Sequence, residues 1–236
     1  MTLLTICQAV ADEVQIQRPS VVFGSSDEGA RKLLRIAQKV GSKIALSVNW
    51  FSLRKELTFT SVAGETQTGI LPSDFNRFIA ETFWNRSTTQ LITGPISPVQ
   101  WQDLKANTYT GTPKFTQRGT SISILPALSA GADLAFEYIS KNWIDTDSDG
   151  EGDASSWTAD ANDVVIDEEL LTLGIIYQFL ESEGQPSSMA ASDFINRMND
   201  LVDNEDASPG VLSVGDLFGQ GGRHFGGAPS AGVTTV

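Results

Sequence analysis

The residues best suited to chemistry are the carboxylates between Asp145 and Asp153, in the run Asp-Thr-Asp-Ser-Asp-Gly-Glu-Gly-Asp. Carboxylates at alternate positions followed by glycine match the first half of a calcium-binding loop, in which the chain wraps a hard cation with oxygen ligands. Position twelve of such a loop, counted from Asp145, is Ser156 instead of a glutamate that would supply two oxygens. We therefore interpret the run as an acidic loop without a dedicated metal, and weak calcium binding is the alternative. The candidate ligands are Asp145, Asp147, Asp149 and Asp153.

The chain offers little for nucleophilic or metal-dependent catalysis. His224 is the only histidine and lies among glycines, so a histidine-dependent site would lack a rigid scaffold. Cys7 is the only cysteine, falls on the apolar face of a predicted helix and is interpreted as a small core residue. These two residues cannot supply a zinc ligand set, and no Gly-Lys-Ser or Gly-Lys-Thr of a phosphate-binding loop occurs. We expect no catalytic residues and no cofactor, while a hydrolase that pairs two carboxylates by folding stays open.

The charge balance limits the partners of the protein. Sixteen lysines and arginines against 29 aspartates and glutamates give a formal net charge of −13. This balance disfavours tight or sequence-specific binding of nucleic acid, which requires clustered basic residues. Solubility is one explanation of the charge, and a negative channel wall that lets DNA slide past is the other. We also expect no membrane span and no signal peptide, and synthesis in the cytoplasm.

Apolar residues at helical spacing predict two helices near each end of the chain. They are expected at about 2–15, 28–48, 167–183 and 188–202. The residues between them favour strands, by their period-2 alternation and their aromatic content. These strands are expected at about 57–62, 115–125 and 132–144, and residues 73–78 are expected to form a tight corner that leads into another aromatic-rich strand. A short helix is expected at 97–104, capped by Ser97.

Helices from opposite ends of the chain must meet to bury their apolar faces. The predicted fold is therefore α+β, with a helical bundle formed by both chain ends and an inserted antiparallel β-domain. We assign the bundle to residues 1–49 and 160–206 and the β-domain to residues 50–159, with the acidic loop at 145–156.

The last segment, residues 207–236, is rich in glycine and serine and is too glycine-rich to fold by itself. One interpretation is a disordered terminus. The other is an extended arm that becomes ordered on a neighbouring subunit, because purely solvated linkers rarely contain several large apolar residues. The candidate partner-binding residues of this arm are Leu217, Phe218 and Phe225.

Several landmarks occur together over about residues 1–205. They are Thr2–Gln8, Gly24–Glu28, Phe59–Glu65, Leu71–Phe75, Gly94-Pro95, Gln100-Trp101, Phe136–Tyr138 and Asn142-Trp143. In this order they resemble the head-to-tail adaptor proteins of tailed bacteriophages, including the tail tubular protein A type of short-tailed phages. The acidic stretch at 145–156 and the glycine-rich tail depart from the pattern.

The resemblance implies a structural protein of the virion neck that catalyses no reaction. Members of that family form twelve-subunit rings that dock onto the portal protein and present their other end to the tail tube or nozzle. DNA would then pass through the ring without sequence-specific binding. The resemblance also implies that the helical bundle contacts the portal and the β-domain faces the tail.

A carbohydrate- or receptor-binding module of a phage tail is the alternative function. It would use exposed aromatic side chains and the acidic loop. Core packing is the expected role of most of the five tryptophans, and interface anchoring is the second possibility, since tryptophan is enriched at binding hot spots. The tryptophans are Trp50, Trp84, Trp101, Trp143 and Trp157.

Overall fold

The computed structural model describes residues 1–205 of the chain. Its helices are α1 (Leu3–Glu13), α2 (Glu28–Ser47), α3 (Pro98–Ala106), α4 (Glu168–Ser182) and α5 (Ser188–Glu205), with a 3₁₀ turn at Phe51–Leu53. The longer strands are β1 (Arg54–Thr60), β2 (Gly64–Gln67), β3 (Phe75–Phe78), β6 (Lys114–Arg118), β7 (Ser121–Leu128) and β8 (Asp133–Ser140). Two-residue strands complete the set: β4 (Trp84–Asn85), β5 (Gln90–Leu91), β9 (Ile144–Asp145) and β10 (Asp163–Val164).

Side-chain caps fix where the helices begin, as the sequence predicts. Asp27 accepts a hydrogen bond from the Ala30 N–H at the start of α2, and Asp167 accepts one from the Leu170 N–H at the start of α4. Each cap satisfies a backbone donor that has no partner inside its helix. Ser97 caps α3 in a reciprocal capping box with Gln100. The predicted helices and the α+β class are confirmed.

The four helices α1, α2, α4 and α5 bury their apolar faces in one hydrophobic cluster. Helix α4 contacts the other three. Gly174 of α4 faces Val40 of α2 and Phe194 of α5, and a Cβ at position 174 would lie 2.7 Å from Val40 Cγ1. The same cluster includes Trp143 and Trp157, from the segment that follows β8.

The β-strands form antiparallel sheets in which β8 has a central place. One edge of β8 pairs with β1, with Leu57 opposite Phe136, and its other edge pairs with β3 and β4. Strand β5 extends this sheet beyond β4. A second sheet has the order β2-β7-β6, and β9 pairs with β10. Strand β1 alternates exposed and half-buried residues from Glu56 to Thr60, as its period-2 pattern predicts, whereas six of the eight residues of β8 are buried.

An aromatic cluster fills the space between the two larger sheets. The Phe136 ring lies 5.0 Å from that of Phe78 and 5.2 Å from that of Phe83, and Phe115 from the second sheet lies 5.0 Å from each of those two. Tilted and edge-to-face contacts of this kind stabilise aromatic pairs beyond their buried area.

The structure differs from the sequence-based expectation at residues 115–125. The single strand expected there is a hairpin of β6 and β7, in which Arg118 lies opposite Ser121. The two-residue turn places Gly119 at φ +59°, a conformation that glycine adopts without steric strain. The expected strand at 132–144 ends earlier, at Ser140.

Candidate functional site

The acidic loop is held closed at its base and shaped by its own carboxylates. Ile144 and Ala154 pair at the base through backbone hydrogen bonds. Inside the loop, the Asp145 carboxylate accepts hydrogen bonds from the N–H groups of Asp147, Ser148 and Gly150. Asp145 is only 4% exposed, so the carboxylate that orders the loop is itself buried.

Three of the four candidate calcium ligands come together. Carboxylate oxygens of Asp145, Asp147 and Asp149 all lie within 4.8 Å of one another. Asp153 is not part of this group, and its carboxylate accepts hydrogen bonds from the Thr146 N–H at 3.0 Å and the Thr146 hydroxyl at 2.5 Å. The three grouped carboxylates have the hard oxygen donors that calcium prefers, but Asp145 already uses its oxygens to order the loop.

The pKa shifts in the loop follow from this arrangement. The negative charge of Asp149 raises the pKa of Asp147. Desolvation acts to raise the pKa of Asp145, yet the backbone N–H donors around it, led by those of Gly150 and Ser148, lower that pKa overall. The loop therefore keeps one firmly ionised carboxylate at its centre and a pair that repel each other at its surface.

The other residues singled out for chemistry divide into two groups. Cys7 is fully buried, and burial raises the pKa of its thiol to about 12, so it is a core residue as predicted and not a nucleophile. His224 and the candidate partner-binding residues Leu217, Phe218 and Phe225 lie outside the described residues.

A partly buried polar cluster around Asp74 was not predicted. Its carboxylate accepts hydrogen bonds from the Tyr138 hydroxyl at 3.2 Å and the Ser140 hydroxyl at 2.9 Å, and the Lys55 ammonium lies 3.8 Å away. Burial, together with the nearby Asp74 charge, raises the pKa of Tyr138 to about 12. The cluster ties the turn before β3 to β1 and β8, and we interpret it as structural.

Arg77 joins the sheet to the helices. From β3 its guanidinium donates to the Leu46 carbonyl at 2.9 Å, the Val48 carbonyl at 2.5 Å and the Asn49 side chain at 2.9 Å. These acceptors lie at the C-terminal end of α2, where carbonyl groups lack partners inside the helix and a positive charge is favourable. The contact fixes the relative positions of the sheet and the helix.

Tryptophan burial distinguishes the two roles considered for these side chains. Trp50, Trp101, Trp143 and Trp157 are at most 5% exposed, as expected for core packing. Trp84 is 41% exposed and is the most exposed of the five tryptophans.

Helix α2 concentrates positive charge on an acidic protein. It carries five of the 16 basic residues of the chain: Arg31, Lys32, Arg35, Lys39 and Lys43. Lys32 pairs with Glu183, and Lys39 donates to Gln178, both of which lie at or near the C-terminal end of α4. The spacing of 31, 35, 39 and 43 places four of these residues along one helix face. This spacing is visible in the sequence, but the negative net charge of the whole chain gives no indication of it.

A family model described as SU10 adaptor protein matches residues 1–214, and the chain belongs to that family. The match covers every helix and strand described above, so the resemblance to phage head-to-tail adaptors is confirmed and the chain is a structural phage protein. A comparison with curated proteins finds no match. Within residues 1–205 no helix combines the length and the apolar character that a membrane span requires.

Proposed function

We propose that this protein is the head-to-tail connector of a tailed phage, a ring of identical subunits that joins the portal to the tail tube or nozzle. The observation that carries the proposal is the family match over residues 1–214. Its location would be the virion neck. Its work is assembly, and no reaction is proposed for it.

The proposed ring is closed and has twelve subunits, as the resemblance to head-to-tail adaptors implies. Each subunit of such a ring uses two different surfaces, because a head-to-tail contact is heterologous. The basic face of α2 on a chain of net charge −13 offers a surface unlike the rest of the molecule. Permanent interfaces of this kind commonly bury about 2,000 Å² or more.

We assign the two ends of the ring to different parts of the chain. The helical part, residues 1–49 and 160–206, would contact the portal, and the inserted β-domain, residues 50–159, would face the tail. Anchors between them, such as the Arg77 hydrogen bonds to the end of α2, suit a part that transmits position from one partner to the other. Cross-links from the portal mainly to residues 57–84 or 115–144 would reverse this orientation.

The DNA channel would be lined by this ring. The net charge of −13 supports a wall that repels phosphate and lets DNA pass without sequence-specific binding. DNA binding with an affinity that falls steeply as the salt concentration rises, as phosphate contacts produce, would contradict a passive channel.

Electron microscopy and native mass spectrometry of the purified protein mixed with its portal test the proposal. A twelve-subunit ring seated on the portal is the expected result. A monomer that does not bind the portal and does bind glycans on an array would instead support the alternative, a carbohydrate- or receptor-binding module of the tail.

A further inference from the structure

A groove of about 400 Å³ runs along the surface of α2. Two aromatic side chains, Phe23 and Trp157, form its walls, and Leu34 contributes to its apolar lining. Phe23 leaves 40% of its surface exposed, while Trp157 is only 5% exposed and its indole N–H has no hydrogen-bond partner among the described residues. The groove volume lies in the range of clefts that hold a ligand or a few side chains.

Hydrogen bonds hold both walls of this groove in place. Gln38 of α2 accepts from the Trp157 backbone N–H at 3.2 Å and donates to the Ser155 carbonyl at 2.9 Å. On the other wall, the Asp160 carboxylate accepts from the Phe23 N–H at 2.6 Å and from the Val22 N–H. The groove is therefore preformed, which reduces the entropy lost when an occupant binds.

Positive charge lies among the lining residues of the groove. Arg35 and Lys39 line it beside the aromatic walls, and within residues 1–205 Arg35 makes no ion pair. An occupant that fits both the aromatic walls and the positive charge carries a large apolar side chain next to a carboxylate.

The chain itself contains such a segment beyond the described residues. Asp216-Leu217-Phe218 combines one carboxylate with two large apolar side chains. The other candidate of the arm, Phe225, follows Arg223 and His224, whose basic character does not suit a groove lined by Arg35 and Lys39. Asp216 is eleven residues beyond Glu205, a span of up to about 36 Å when extended.

We propose that Asp216-Leu217-Phe218 of one subunit occupies the α2 groove of the next subunit in the ring. Phe218 or Leu217 inserts between Phe23 and Trp157, and the Asp216 carboxylate pairs with Arg35. This inference rests on the proposed ring and names the surfaces that link its subunits. Each subunit then gives one arm and receives one, as a head-to-tail contact requires.

Charge reversal of the full-length protein tests the contact. Arg35→Glu and Asp216→Arg should each raise the subunit concentration needed for half-maximal ring formation on the portal, by about tenfold or more, because each places like charges together. An equimolar mixture of the two variants should restore assembly, because in a ring of alternating subunits every arm meets a groove of opposite charge. The double variant should restore assembly for the same reason. Restoration by the double variant but no gain at all from the mixture would show that the arm folds back onto its own subunit, and would overturn the proposal.

Matched controls separate this contact from general effects. Arg118→Glu reverses an exposed charge on β6, outside α2 and outside the groove lining, and should leave assembly unchanged. Phe218→Ala should weaken assembly roughly 30-fold, as loss of a buried anchor does, whereas Phe225→Ala should not. Normal assembly of every variant into rings would contradict the proposed contact between the arm and the groove, and would leave the connector function supported. Failure of the unmodified protein to form a ring would instead reject the connector function.

Discussion

The indole ring of Trp143 covers the backbone of Gly41 so closely that a Cβ at position 41 would lie 2.2 Å from its Cη2 atom. Gly41 lies inside α2, where glycine is about 1 kcal/mol less favourable than alanine. Trp143 is 1% exposed and meets Trp157 edge-to-face at 5.3 Å. The segment after β8 is therefore anchored onto the helix by an approach that only glycine permits.

Gly41→Ala should destabilise the protein despite the better helix propensity of alanine. The added methyl group has to displace a buried ring, and overpacking of this kind costs about 1–3 kcal/mol. Urea denaturation of the full-length protein measures the change in the free energy of unfolding.

A double-mutant cycle shows whether the indole ring of Trp143 causes this loss of stability. In a Trp143→Leu background the same alanine should cost less, because the smaller side chain leaves room for it. An equal loss of unfolding free energy in both backgrounds would mean that Trp143 is not the reason why position 41 requires glycine.

Local features of the fold could be predicted from the sequence, and long-range ones could not. The start of α2 depends on Asp27 and Ala30, three residues apart, so its capping pattern is visible in the chain. The Asp74 cluster joins residues 64 positions apart, and nothing in the local pattern around Asp74 or Tyr138 indicates it. The β6–β7 hairpin is a local feature that the sequence did not reveal, because Gly119 is the only glycine between its two strands.

The same distinction applies to the candidate sites. The acidic loop is contiguous, so its carboxylates could be named from the sequence, whereas the burial of Asp145 depends on the folded backbone. The α2 groove combines Phe23, Leu34 and Trp157 from three separate segments, and only the fold brings them together.

Asp74→Asn should lower the pKa of the Tyr138 phenol. Burial and the Asp74 charge raise that pKa from its ordinary value of 10 to about 12. Because the folded-state pKa lies above the unfolded one, this contribution to stability is complete below pH 10 and is lost as the pH rises toward 12. Ultraviolet titration of the phenol measures the shift.

Tyr177 complicates that titration, because its pKa is also raised to about 12, by burial and by its hydrogen bond with Glu181. The comparison is therefore made in a Tyr177→Phe background. A Tyr138 titration that the Asp74→Asn substitution leaves unchanged in that background would assign the whole shift to burial.

Calcium should bind the acidic loop weakly. Three carboxylates group within 4.8 Å, but position twelve of the loop is Ser156, and Asp145 already accepts three backbone hydrogen bonds. A dissociation constant of about 10⁻⁴–10⁻³ M is expected, as in weak extracellular modules. Calorimetric titration with calcium measures it, and Asp147→Ala is the matched control. A micromolar or tighter isotherm that this substitution abolishes would establish a dedicated calcium site.

Truncation of the chain after Glu205 should leave the melting temperature nearly unchanged and weaken attachment to the portal. Among the described residues, two hydrophobic cores form without the arm, so we expect folding not to require it. Attachment should suffer because each large apolar side chain buried by the arm contributes roughly 1.5–3 kcal/mol. Calorimetry of the free protein and a portal-binding titration measure the two effects.

A full-length variant with alanine at Leu217, Phe218 and Phe225 should bind the portal as weakly as the truncated chain, which separates the effect of apolar burial from that of chain length. Equal portal affinity of the truncated and complete proteins would show that the arm does not contribute to attachment.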